Sequence, residues 1–212
     1  MLENRSFDSI LGRMKWDGIR PEVNGLTGNE FNTLNGSKIF VQRTSDTVSR
    51  YNPGHSLPDI TEQIYGSDTN GTVHSLKPSN SGFALNAYRI GKGDSFAVNE
   101  VMSAFGPDAM PVTYALANEY AIIGNWFSAV PGPTYPNRHF AHAATSGGRT
   151  FNGSPIPGFS LKTIFTKLSQ YGKSWHVYAD SLKITTLLYN EMRTPKNLLK
   201  IRTVKYIFIC VV

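Results

Sequence analysis

The sequence has 212 residues, 40% of them hydrophobic and 12% aromatic, enough for a packed core, so disorder is excluded as the dominant state. Only 17% are charged, and 19 Gly with 12 Pro assign much of the chain to loops and turns. No apolar stretch approaches the roughly 20 residues of a membrane helix, and collagen-like and coiled-coil classes are excluded with it.

The 21 Lys and Arg against 15 Asp and Glu leave a net charge of +6, which suits anionic partners: phosphates, anionic lipids or nucleic acid. Lys196, Lys200, Arg202 and Lys205 crowd the C-terminal end, but with neither interleaved aromatics nor a known motif, so no nucleic-acid partner is expected. The single Cys210 excludes an internal disulfide and a cysteine-based metal cluster.

In chain order, residues 1–55 are rich in turn formers such as Asn24-Gly25 and Asn35-Gly36 and show little helical periodicity. Lys38 to Val48 reads as a short strand. Ser56 to Gly66 reads as a helix: Ser56 caps it, Pro58 and Asp59 suit the first turn, and Gly66 stops it. Residues 66–93 read as a long polar loop. Asp108 to Tyr120 reads as a second helix with Pro111 in its first turn, and Ala121-Ile122-Ile123 as a buried strand. Ser128 to Arg149 reads as a dense Pro- and Gly-rich loop, Ser160 to Tyr171 as a third helix, and Ser174 to Ala179 as a strand. Helix, short turn and strand, repeated, predict an α/β layered fold with a mostly parallel sheet. Both ends read as cut short: Met1-Leu2-Glu3-Asn4 has no signal peptide and no leading strand, and Tyr206 to Val212 is an apolar run without a partner.

Three clusters carry candidate chemistry. Glu3-Asn4 sets two oxygen donors side by side, suited to a hard cation or to an ordinary polar loop. Asn52-Pro-Gly-His55-Ser56 places an imidazole on a rigid turn before a helix, where it meets an anion or merely completes the turn. Val130-Pro-Gly-Pro-Thr-Tyr-Pro-Asn-Arg138 holds the Thr134 hydroxyl on a stiff loop beside the Arg138 guanidinium, with His139 and His142 following. This is the arrangement of a nucleophile near an anion, or of a Pro-rich loop whose side chains bond only the backbone. Walker-type loops and the Gly-x-Ser-x-Gly elbow are missing.

Together the clusters resemble the phosphoesterase family of non-specific phospholipases C and related acid phosphatases. Its opening signature is similar to Met1-Leu-Glu-Asn-Arg-Ser-Phe-Asp8. Its second block resembles Pro53-Gly-His-Ser56 with Glu62-Gln-Ile-Tyr-Gly66. Its third resembles Asn125 to Arg138 running on to His142-Ala-Ala-Thr-Ser-Gly147. The resemblance implies an alkaline-phosphatase-like α/β fold, a partial central, mostly parallel sheet flanked by helices, and a metal-assisted hydrolase of phosphate esters. It implies Glu3, Asn4 and Thr134 as ligands of a divalent metal ion, Thr134 as the nucleophile, and His55 as a catalytic contact to the phosphate or leaving oxygen. Asn137, Arg138 and His142 are implied on the substrate side. Ser9 and Asn52 stand where the family usually has His and Asp. Nothing after Ser146 matches the family's later acidic block with His-Gly-Gly, so residues 1–195 are expected to be the N-terminal part of such a domain, and 196–212 a non-family apolar tail.

The implied activity is of the phospholipase C type, converting a phospholipid to diacylglycerol and a phosphorylated head group, with peripheral membrane contact and with this piece expected to be inactive alone. Two alternatives stand beside it: an acid phosphatase acting on soluble phosphomonoesters, and a truncated, non-catalytic lipid- or phosphate-binding product.

Overall fold

The computed structural model describes residues 5–67, 77–179 and 188–203. The chain divides into two compact units, one within Asn4–Phe127 and one within Ser128–Val212. No composition shift marks that boundary in the sequence.

The first unit opens with two short helices, α1 (Phe7–Leu11) and α2 (Arg13–Trp16), where turn-rich sequence predicted little helix. Ser6 makes α1 possible: its side chain accepts the Ser9 N–H at 3.1 Å as an N-cap. A hairpin follows, β1 (Phe31–Leu34) antiparallel to β2 (Ser37–Phe40), turning at Asn35 and Gly36, both in the left-handed region. The strand expected over Lys38 to Val48 is therefore two. β2 pairs back onto β1, and β3 (Gln42–Thr44) pairs in parallel with β4 (Ser103–Phe105).

Helix α3 (Leu57–Tyr65) has the predicted caps: a reciprocal capping box between Ser56 and Asp59, and Gly66 at positive φ. Within the stretch expected to be a long loop, α4 (Phe83–Ile90) forms, followed by α5 (Ser95–Val101), capped by Asp94. The entry to α4 lies tight against α3, for the Gly82 N–H bonds the Gln63 carbonyl at 3.1 Å. Helix α6 (Pro111–Glu119) starts on its proline, and its Tyr114 and Ala117 close a core with Leu11 and Met14. The Tyr114 hydroxyl donates to the Phe105 carbonyl at 2.9 Å, and burial pushes its pKa up to about 12. The strand expected at Ala121 to Ile123 does not form. Among the described residues it meets no neighbouring strand, and Ile123 is exposed.

The second unit contains α7 (Thr134–Ala143), lying inside the stretch expected to be loop, and α8 (Ile164–Gln170). β5 (Val177–Ala179) runs parallel to β6 (Ile201–Thr203), and between them come a 3-10 turn, Asn190–Arg193, and α9 (Pro195–Leu198). Its core is Phe159, Trp175, Leu188, Tyr189 and Met192, joined by a bridge between Phe159 and Tyr189.

The described residues thus combine helices with short two-stranded sheets, two of them parallel, an α/β organisation. The partial central sheet implied by the resemblance is not seen as one sheet among them: their strands make three separate two-stranded sheets. No helix among the described residues is long and apolar enough to cross a membrane.

Candidate active site

Glu3 and Asn4, expected as metal ligands, lie outside the described residues. The other candidates fall in both units: His55 in the first, and Thr134, Asn137, Arg138 and His142 in the second, all four on α7.

Helix α7 begins at Thr134, with Pro133 as the N-cap residue and Pro136 at the third helical position. Both prolines are at home here. The first N–H groups of a helix have no intrahelical partner, so a residue lacking one costs nothing. The Tyr135 N–H is met instead by Asn152 Oδ1 at 2.8 Å, a cap supplied from 17 residues away. The Thr134 hydroxyl makes no hydrogen bond among the described residues and is half-buried at the positive end of a ten-residue helix. Arg138 stands one turn further along the same face.

Asn137 spends its whole amide on the preceding loop. Oδ1 accepts the Val130 N–H at 3.0 Å, and Nδ2 reaches the carbonyls of Val130 (3.0 Å), Gly132 (3.1 Å) and Pro133 (3.1 Å). The segment that delivers Thr134 is therefore fixed by a side chain from its own helix.

On the inner side of α7, His139 is fully buried, its Nδ1 3.0 Å from the Tyr189 hydroxyl and its ring 4.5 Å from Phe159. Tyr189 also lies 3.4 Å from His142 Nδ1. Burial, then the positive charge of Arg149, holds the His139 pKa below the usual imidazole range, and burial with Arg138 does the same for His142. Both rings are neutral at pH 7 and tie the helix to its core. Tyr189 was not singled out in the sequence, since nothing local to it signals a partner 50 residues upstream.

His55 sits on the turn before α3. Its Nδ1 is 2.9 Å from the Pro53 carbonyl, which can only accept, so Nδ1 carries the hydrogen and Nε2 faces outward on an exposed ring.

For a metal, the described residues contain no group of three or more His, Cys, Asp or Glu able to hold one. Among them, the unpartnered Thr134 hydroxyl is the oxygen donor of the expected set.

The chain matches the family model "Phosphoesterase family" over residues 1–206. It is 41% identical over 208 residues to "Non-specific phospholipase C1" of Arabidopsis thaliana, covering 94% of this chain and 37% of that protein. It is 40% identical over 208 residues to "Non-specific phospholipase C5" of the same plant, covering 92% of this chain and 39% of that protein. A more distant relative, "Non-hemolytic phospholipase C" of Burkholderia pseudomallei (strain K96243), is 26% identical over 194 residues, covering 85% of this chain and 25% of that protein. The chain belongs to the phosphoesterase family. It spans well under half the length of the curated relatives it matches.

Proposed function

We propose that the chain carries the nucleophile-bearing part of a phosphate-ester hydrolase of the phospholipase C type, built on an alkaline-phosphatase-like fold. Its substrate is a phospholipid, and its products are diacylglycerol and a phosphorylated head group. The observation that carries this reading is the Thr134 hydroxyl, free of hydrogen bonds among the described residues at the first position of α7. The family match and the names of the relatives supply the chemistry.

In this reading the Thr134 oxygen attacks phosphorus in line with the glycerol oxygen. The Oγ1–P bond forms as the Thr134 hydroxyl gives up its proton to solvent, the bond from phosphorus to glycerol oxygen breaks, and Thr134 is left as a phosphodiester that still carries the head group. His55, with hydrogens on both ring nitrogens, gives the departing oxygen the one on Nε2 and keeps the one that Nδ1 donates to the Pro53 carbonyl. Water then attacks phosphorus and gives a proton to His55 Nε2, the Oγ1–P bond breaks, the phosphorylated head group leaves, and Thr134 takes back a proton from solvent. The α7 N-terminus and Arg138 favour the negative charge gathered on the phosphoryl oxygens. Glu3, Asn4 and Thr134 offer carboxylate, amide and hydroxyl oxygens suited to a hard divalent cation, which when bound would polarise a phosphoryl oxygen and favour the ionised Thr134.

Peripheral contact with the bilayer is part of this proposal. Supporting it are the +6 charge and exposed apolar side chains on the first unit: Val112, Leu116 and Tyr120 at four-residue spacing, and separately Trp126 and Phe127.

The test is hydrolysis of phosphatidylcholine vesicles by this chain, and by this chain continued with the remaining sequence of its Arabidopsis relative. The continued protein should release diacylglycerol, Thr134→Ser should retain activity, and Thr134→Ala should lose about 100-fold or more. An active Thr134→Ala protein sinks the mechanism. Turnover of nitrophenyl phosphate without diacylglycerol release would identify a phosphomonoesterase instead.

A further inference from the structure

A buried polar chain runs beneath His55. The Glu62 carboxylate is 3% exposed, and it pairs with Arg89 and accepts from Asn86 Nδ2 at 2.5 Å. Burial alone would raise its pKa, but hydrogen bonds from Asn86, Ser67 and Arg89 outweigh that and hold the group ionised. Asn86, 1% exposed, also donates to Asp59 Oδ1 at 3.1 Å, and its own Oδ1 accepts from Gln63 Nε2 at 3.0 Å. Gln63 Nε2 then donates its second hydrogen to the Gly54 carbonyl at 2.7 Å.

The residues on either side of His55 are thus both anchored to this chain. Gly54 is held by Gln63, and Ser56 is held by Asp59, which accepts from its N–H at 3.2 Å and from its hydroxyl at 2.5 Å. Gly54 is packed so closely that a Cβ there would meet Asn86 Oδ1 and Asp59 Cγ, each at 2.6 Å. Capping α3 needs only Ser56 and Asp59. The Gln63 bond to Gly54 is extra to the cap and acts on the one peptide that sets where the His55 ring leaves the turn.

We propose that Gln63, oriented by Asn86, is the positioning residue for His55: by holding the Gly54 carbonyl it keeps the Pro53 carbonyl under Nδ1 and so fixes the ring's tautomer and the outward aim of Nε2. The proposal deepens the phosphate-ester reading above and rests on it for the role of Nε2. A buried amide that uses both of its hydrogens, one on the turn and one on a neighbouring amide, leaves the loop a single hydrogen-bonded arrangement. An imidazole whose other nitrogen is fixed presents one defined atom to a substrate.

The experiment uses the 212-residue chain, ¹⁵N-labelled on histidine, at about pH 8. His55 should show the Nδ1–H tautomer, with Nε2 shifted as an unprotonated nitrogen. Gln63→Met keeps the side-chain length and removes the donor. It should move the His55 nitrogens to the exchange-averaged shifts of a free imidazole, with the other imidazoles unchanged. Gln63→Asn, one methylene shorter, draws the amide nitrogen back from the Gly54 carbonyl; it should do the same and serves if the Met variant does not fold.

In the continued protein, Gln63→Met should lower kcat roughly tenfold with KM within about twofold, and should cost nothing further once His55 is Ala. Unchanged His55 shifts in a folded Gln63 variant would overturn the positioning role. Retained tautomer loss with an active His55→Ala protein would instead remove His55 from the reaction and leave the positioning intact.

Discussion

Asn137 and Val130 exchange two hydrogen bonds, each 3.0 Å long, as though they were paired residues of a sheet. The pairing closes the Val130–Pro133 turn and sets the start of α7. Asn137→Ala removes these bonds and those to the Gly132 and Pro133 carbonyls, and should cost about 2 kcal/mol. Asn137→Asp should cost more, because a carboxylate then faces three carbonyl oxygens. Thermal unfolding of both variants checks the order.

The buried imidazoles of α7 predict a pH dependence. His139 and His142 have folded-state pKa values below the ordinary one, so the native state binds fewer protons than the unfolded chain. Their stabilisation is fully present above about pH 6.5 and is lost as pH falls below it toward the depressed folded values. The melting temperature should be flat between about pH 7.5 and 9 and fall on acidification. His139→Phe should reduce the steepness.

Much of this could be read from the sequence, and the exceptions share a cause. Ser56, Pro58, Asp59 and Gly66 are local signals, and α3 forms where they place it. Helix α7 was hidden because Pro133 and Pro136 read as breakers, when both occupy positions that need no N–H. Helix α4 was hidden because its N-cap, Gly82, makes no side-chain bond and because its buried apolar residues, Ala84 and Ala87, are small. Of the candidate site, Thr134 and His55 stand out in the sequence as residues on rigid turns. Asn152, Tyr189 and Gln63 were not, for their partners are chosen by tertiary packing.

Arg13 predicts an asymmetric response. It is buried, with Nη2 2.8 Å from Asp17 and Nη1 3.1 Å from the far more exposed Asp108. Arg13→Met should cost about 3 kcal/mol, since it strands Asp17 with Arg43 as its remaining partner. Asp108→Asn should cost under about 1 kcal/mol, because solvent screens that end of the pair. Urea unfolding of the two variants measures the difference.

Asn152 caps α7 from outside the helix. Asn152→Ala should cost about 1 kcal/mol, the ordinary value of an N-cap, and Asn152→Asp should restore it, since a carboxylate accepts the Tyr135 N–H and favours the helix dipole. Amide hydrogen exchange at Tyr135 reports the effect directly.

The close approach of Gly82 to α3 also bears on how this sequence can vary. A Cβ at position 82 would lie 1.9 Å from the Glu62 carbonyl oxygen, and backbone cannot swing aside as a side chain does. The same peptide carries Glu62 and leads into Gln63, so accommodating even one methyl would displace the residues beneath His55. A saturation library selected for folded protein should therefore return glycine at 82, while Gly36, with nothing within 4 Å of where its Cβ would be, should admit asparagine and aspartate. Two glycines that look alike in the sequence would then part company in their tolerance: one closed by its neighbours, the other limited only by its own backbone.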